Sequence, residues 1–191
     1  MKTHIFIIIL LLSGFTALAQ KQELNIGIGT LSHPTFKEDG FWPGLNDAED
    51  HMHWFGPVHI SYNYYLILNW DIGIAAVYEY QKHDITVIIP DAFGKHHIYQ
   101  QTLLTFLLHT HYHWLQKGIF DLYSGGEAGL SMNRKKDIRN DFTITKSEAS
   151  QTNFAYQVTP LGLRIGRKLG GYLELGYGYK GLISAGISYR F

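Results

Sequence analysis

Three groups of side chains in this sequence have the types and spacing to do chemistry. His109-x-His111-x-His113 would place three imidazoles on one face of an extended strand, with neighbours ~7 Å apart. With Asp121 they make a candidate set for a divalent metal, since imidazole and carboxylate are its common donors. The plainer reading is polar strand residues satisfied by carboxylates and water. The second group is Asp47, Glu49, Asp50, His51 and His53 among Trp42, Trp54 and Phe55. It also suits a divalent cation, or equally a solvated, partner-facing loop with aromatics at a membrane interface. The third is His59-Ile60-Ser61. Its His and Ser share a strand face, and Asp71 or Glu79 on the next strand could orient the imidazole as in a Ser-His-acid triad. On a strand with one polar face the same residues need no such role.

Other chemistries leave no trace. There is no Gly-rich phosphate loop, zinc-protease helix or Cys-based metal pattern, and no cofactor is implied. Lys+Arg and Asp+Glu both number 16, so charge gives no argument for a nucleic-acid partner. The chain has no cysteine, which is expected of neither a lipoprotein nor a disulfide-stapled domain.

The elements that would position these groups begin after an address. Lys2, the apolar run Ile5–Leu12 and the small-x-small Ala17-Leu18-Ala19 read as a signal peptide over residues 1–19, cleaved before Gln20. The run is shorter than the ~20 residues of a spanning helix. Residues 20–191 then form one domain, of 191 − 19 = 172 residues. Aromatics at 15 %, 20 glycines, 17 % charge and a mean hydropathy of −0.09 suit strands that show one face to lipid and one to a polar interior.

Period-2 alternation predicts eight strands, at Glu23–Leu31, Val58–Leu68, Trp70–Gln81, Ile98–Trp114, Ile119–Met132, Thr152–Gly166, Gly171–Tyr179 and Leu182–Phe191. In the fourth, Leu104, Phe106, Leu108, Tyr112 and Trp114 face lipid while Thr105, His109, His111 and His113 face inward. The sixth changes phase, which predicts a bulge near Pro160. Aromatics near strand ends (Trp70, Tyr80, Trp114, Tyr177, Tyr179, Tyr189, Phe191) read as interfacial girdles. Long links are expected at Ser32–Pro57, Lys82–His97 and Asn133–Gln151, alternating with short turns; Lys180-Gly181 makes a fourth, tight link. A three-residue turn around Lys117 would set His113 opposite Asp121, and one around Leu169 would set Arg164 opposite Glu174.

The fold class is therefore all-β: an eight-stranded antiparallel up-and-down transmembrane β-barrel with a filled polar lumen. Inward Asp71, Glu79, Asp121, Glu127, Arg164, Glu174 and Arg190 must then be paired. Arg164 and Arg190 are expected to bridge several of the carboxylates, with histidine or water helping.

The stretch from Thr159-Pro160-Leu161-Gly162-Leu163-Arg164-Ile165-Gly166 through Gly186-Ile187-Ser188-Tyr189-Arg190-Phe191 resembles the C-terminal end of Bacteroidetes-type outer-membrane β-barrel proteins. The eight-strand plan resembles the OmpA/OmpX-like barrel superfamily. That resemblance implies a location in the outer membrane, contact with its lipid, and Tyr189 and Phe191 as a signal for the barrel-assembly machinery. His59-Ile60-Ser61 is similar to the His-x-Ser element of outer-membrane lipid A 3-O-deacylases, which carry a Ser-His-Glu triad on such a barrel. Here it lies in the second strand rather than late in the chain, and Tyr62 follows Ser61 where that family has Asn.

Three functions remain open on sequence grounds. One is a non-enzymatic barrel whose loops meet an extracellular partner or support membrane integrity. Another is a lipid-modifying barrel enzyme using His59, Ser61 and Glu79. The third is a soluble lipocalin-like carrier, with the apolar face inside.

Overall fold

A strand with one apolar and one charged face can satisfy both in a bilayer if its sheet closes with the charges inside. The chain folds this way. The computed structural model describes residues 22–32, 51–89, 92–141 and 143–191, with side chains over 22–32, 56–82, 100–136 and 148–191. The signal-peptide reading of residues 1–19 lies outside the described residues, as do Trp42, Asp47, Glu49 and Asp50. His51, His53, Trp54 and Phe55 are described by their backbone alone.

Eight strands run in chain order: β1 (Gln22–Thr30), β2 (His51–Ile67), β3 (Trp70–Ile89), β4 (Ala92–Lys117), β5 (Phe120–Asp141), β6 (Thr143–Gly166), β7 (Leu169–Gly178) and β8 (Ile183–Arg190). Each pairs antiparallel with the next, and β8 pairs with β1 to close the barrel. Closure sets Glu23 opposite Arg190 and Leu24 opposite Tyr189. Phe191 and Gln22 exchange both backbone hydrogen bonds, 3.0 Å each.

The two faces separate cleanly. Ile26, Ile74, Leu108, Leu130, Phe154 and Ile187 stand exposed on the outside, while Arg164, His59, Gln81, Glu79 and Asp71 are among the most deeply buried side chains. Apart from an inward apolar cluster the interior is polar, and the exterior is apolar, the inverse of a water-soluble protein and the arrangement that lipid requires. A lipocalin-like carrier needs the opposite sidedness, so that reading is withdrawn.

The predicted bulge falls where expected. The β6–β7 register shifts between Val158 and Leu161, and the buried side chains change from Thr159 to Gly162 and Arg164. Other expectations change. Both hairpin registers slip by two positions. At the β4–β5 turn Gly118, with φ 66°, occupies a tight connection, and a bulge at Trp114 sets His113 opposite Tyr123 rather than Asp121. At β6–β7, Arg164 lies opposite Tyr172, and Glu174 opposite Gly162. Tyr179, expected outside in a girdle, turns inward against Ala75, Val77, Leu103, Leu107 and Ala155, because the chain turns at Gly178, with φ 146°.

The largest difference concerns the links. Much of Lys82–His97 and Asn133–Gln151 is paired strand, as are His51–Phe55. β4, β5 and β6 reach 26, 22 and 24 residues, against the ~9–11 that a bilayer needs. Beyond the membrane both faces of a strand meet water, so the period-2 signal vanishes while backbone pairing continues.

Sidedness can be tested by placing a charge on the outer face. Leu108, 69 % exposed on that face, changed to Arg is expected to cost about 2–4 kcal/mol of unfolding free energy in lipid vesicles. No loss of stability would mean that water, not lipid, surrounds the barrel.

Candidate functional site

The chemistry-bearing residues converge in the lumen, where alternation on eight strands delivers one polar side chain at every second position. They include three larger groups and several smaller contacts. At the short-turn end, Glu23 is held by two guanidinium groups: Arg190 Nε at 2.6 Å and Arg164 Nε at 3.1 Å. Arg190 also meets Asp121 and lies over the Tyr65 ring, 5.2 Å from its centroid. Tyr65 donates its hydroxyl proton to Glu23 at 2.9 Å. Arg164 further donates to the carbonyls of Gly166, Arg167 and Lys168, tying the β6–β7 turn to the network.

The middle group is built on Asp71 and the histidines. His113 bridges two carboxylates, with Nδ1 2.7 Å from Asp121 and Nε2 3.1 Å from Asp71. Both ring nitrogens donate in this arrangement, as the imidazolium does. His111 Nδ1 lies 3.0 Å from Asp71, which also accepts from Asn63 Nδ2 at 3.0 Å.

The third group centres on Lys180. Its Nζ lies 2.9 Å from both Glu127 and Glu174. Tyr123 donates to Glu174 at 2.9 Å. Toward the long-strand end, Ser32 and Gln81 donate to Glu79 at 2.7 and 2.8 Å.

Glycines make room for the large rings. A Cβ on Gly73 would come 2.3 Å from His109 Nε2, one on Gly125 2.1 Å from His111, and one on Gly162 2.4 Å from Tyr123. Each of these glycines is the cross-strand partner, or next to it, of the ring that covers it. A narrow barrel holds this many aromatic and imidazole side chains because neighbouring strands offer no side chain beneath them.

The candidate sites stand as follows. His59, Ser61 and Glu79 are all buried in the lumen but do not join one another. His59 Nε2 lies 2.7 Å from the Tyr172 hydroxyl, Ser61 accepts from Asn25 at 3.2 Å, and Glu79 engages Ser32 and Gln81. The triad geometry is absent among these contacts, and lipid on the outer face does not reach them. Of the metal candidates, His109 and His111 share their cluster with Asp71 rather than Asp121, the three offering ligand atoms within 4.8 Å of one another. Both ring nitrogens of His109 and Nε2 of His111 meet no hydrogen-bond partner among the described residues. Their rings, however, are stacked at 4.7 Å and 25°. In-plane lone pairs on stacked rings point side by side, so shared coordination of one ion requires a ring to turn.

Among the acids and arginines named from sequence, Arg164 and Arg190 come together at Glu23, Asp121 joins them through Arg190, and Glu127 and Glu174 meet at Lys180. Arg164 and Glu174, expected to pair, do not face each other. Glu23 and Lys180 were not singled out. Glu23 continues the polar face of Asn25, Gly27 and Gly29, a signal that was available; Lys180 sits in a tight link where alternation says nothing. Tyr189 and Phe191 lie exposed on the outer face with their rings stacked at 5.9 Å.

No family model and no curated protein matches the chain. Among solved structures it is similar to the N-terminal β-barrel domain of OprF from Pseudomonas aeruginosa, at 15 % identity over 90 % of this chain and 97 % of that one, with a TM-score of 0.45. It is also similar to Ail, the attachment invasion locus protein of Yersinia pestis, in complex with the heparin analogue sucrose octasulfate, at 12 % identity over 91 % and 100 % with a TM-score of 0.46. The architecture described above rests on the chain's own strands.

Removing a buried charge partner tests the network. Lys180→Met leaves Glu127 and Glu174 buried without their cation, and is expected to cost about 3–5 kcal/mol, read as a lowered urea midpoint in vesicles. Adding Glu127→Gln and Glu174→Gln should restore most of the loss. A single variant as stable as the parent would show that the lumen charges are solvated rather than paired.

Proposed function

We propose that this chain is a non-enzymatic integral outer-membrane barrel of the OmpA/OmpX-like type, which anchors a β-sheet outside the cell for surface interaction. The observation that carries this reading is the length asymmetry of the strands. β1, β7 and β8 have 9, 10 and 8 residues, close to what a bilayer requires. β3 through β6 continue well beyond them. The last β6–β7 pair is Gln157 with Gly178, so β6 runs on toward Thr143 with β5 as its described partner on one side, and Thr143–Gln151 of it stands beyond the apolar face that carries Phe154. On the far side His51–Phe55 pairs with β3 above the end of the β1–β2 pairing. Among the described residues the result is a five-stranded curtain with two edges, standing on a closed barrel. Open edges offer backbone donors and acceptors to an added strand of a partner. The long-strand end is extracellular by the short-turn, long-loop rule of outer-membrane barrels. Insertion by the barrel-assembly machinery would use Tyr189 and Phe191.

The catalytic alternative finds no support in the separated His59, Ser61 and Glu79. Membrane integrity is the remaining alternative, and one experiment divides it from surface interaction. Replacing residues 84–98 and 137–147 with two-residue Asn-Gly turns keeps the His83–Tyr99 and Lys136–Glu148 pairs and the whole barrel. Cells carrying the trimmed chain are expected to lose adhesion to protein-coated surfaces while keeping the parent's resistance to bile salts. The reverse pattern would favour membrane integrity. Orientation has its own check, because the chain has no native cysteine. Glu148→Cys should react with a membrane-impermeant maleimide on intact cells, and Arg167→Cys only after permeabilisation. Labelling of Arg167→Cys alone would invert the barrel.

A further inference from the structure

The outer face of the barrel is uneven. Two small side chains stand among bulky ones: Ala76 between Ile60 and Phe106 in one cross-strand row, and Ala128 between Leu108 and Tyr156 in the next. The missing side-chain volume leaves an apolar groove of about 750 Å³ that reaches up to Met132. A second hollow of about 440 Å³ starts at Met132 and continues toward the long-strand end, where Arg134 and Lys136 line it. The two adjoin at Met132, the apolar hollow below and the cationic one above.

Cross-strand pairing places that change between neighbouring rows. Tyr78, Leu104, Met132 and Thr152 form the last mainly apolar row; Arg134 and then Lys136 stand in the two rows beyond it. From Trp114 to Leu104 a strand tilted by ~40° climbs about 25 Å along the barrel axis, the height of an apolar membrane band. Arg134 and Lys136 therefore stand at the level of lipid phosphates. Lys136 shares its charge with Glu148 at 3.1 Å, both well exposed. Arg134, one row nearer the groove, has no ion-pair partner among the described residues.

We propose that the two hollows act as one cleft that binds one anionic, phosphate-bearing lipid of the surrounding leaflet. Arg134 and Lys136 hold the phosphate, and an acyl chain lies along the groove over Ala76 and Ala128. A guanidinium offers paired N–H donors to phosphate oxygens and a lysine adds a point charge. The apolar groove confines a chain that would otherwise move freely past a smooth wall. The proposal rests on the membrane-spanning reading and is independent of what the curtain binds.

The test is co-purification from vesicles that contain equal amounts of phosphatidylcholine, phosphatidylglycerol and lipid A, with retained lipid measured by native mass spectrometry. One anionic lipid should be retained about tenfold over phosphatidylcholine; whether it is the phosphodiester or the phosphomonoester identifies the source. Arg134→Gln with Lys136→Gln should abolish that preference, and Glu148→Gln should strengthen it. Ala76→Phe with Ala128→Phe, which fills the groove, should release the lipid while the cations remain. Equal retention of all three lipids, or a preference untouched by the Arg134 and Lys136 changes, would overturn the proposal. Every variant is run boiled and unboiled in SDS. A retained heat-dependent shift shows that the barrel is intact: a preference lost in the variants with that shift supports the cleft, no preference in a parent that shows the shift refutes the cleft alone, and loss of the shift in the parent would refute the membrane reading itself.

Discussion

Everything in this structure depends on pairing charge inside a closed, narrow barrel. Eight strands leave an interior that side chains fill, and a buried ion without a partner costs several kcal/mol. The chain meets that constraint with few cations. Arg164, Arg190 and Lys180 each serve more than one acceptor, and His113 spans the gap between Asp71 and Asp121. The pair that joins the first strand to the last, Glu23 with Arg190, is both a cross-strand neighbour and an ion pair. Barrel closure and charge satisfaction are thus the same event at that seam.

The same partition explains why the protein has two regimes. Over the height of the bilayer, one face must be apolar and the other must fill the lumen, so each position is constrained. Above it, β3 to β6 are held by backbone pairing and by contacts such as Lys136 with Glu148, whose exposure makes it worth little on its own. The lower part is constrained at each position by lipid on one side and the filled lumen on the other, and the upper part is under neither constraint. The histidines belong to the lower part. Their glycine-backed seats and carboxylate neighbours give them a structural role whether or not an ion is ever held by Asp71, His109 and His111.

What could be read from sequence follows the same boundary. The eight strands, their inward faces and the Pro160 bulge were legible because lipid imposes period two on one face. The extensions of β3 to β6 were not, since water on both sides imposes no period, and polar strands such as Arg134–Arg139 read as loops. The hairpin registers failed for a different reason. A shift of two residues keeps every side chain on its face, so matching like with like cannot distinguish a three-residue turn from a tighter turn with a bulge at Trp114. Lys180 and the inward Tyr179 escaped because they follow Gly178, whose positive φ ends the alternation. The closing pair of Glu23 with Arg190 joins the ends of the chain, where no hairpin fixes a register in advance.

The central claim is that lipid covers the face carrying Ile72, Ile74, Leu104, Phe106, Leu108 and Leu130 while the charges lie within. Spin labels placed singly at these positions, in a chain that has no cysteine of its own, measure it directly by relaxation from two quenchers in reconstituted vesicles. The account predicts strong relaxation by oxygen, which concentrates in the bilayer, and little by a water-soluble nickel chelate at every one of them. Greater accessibility to the nickel chelate than to oxygen would place this face in water and contradict the account.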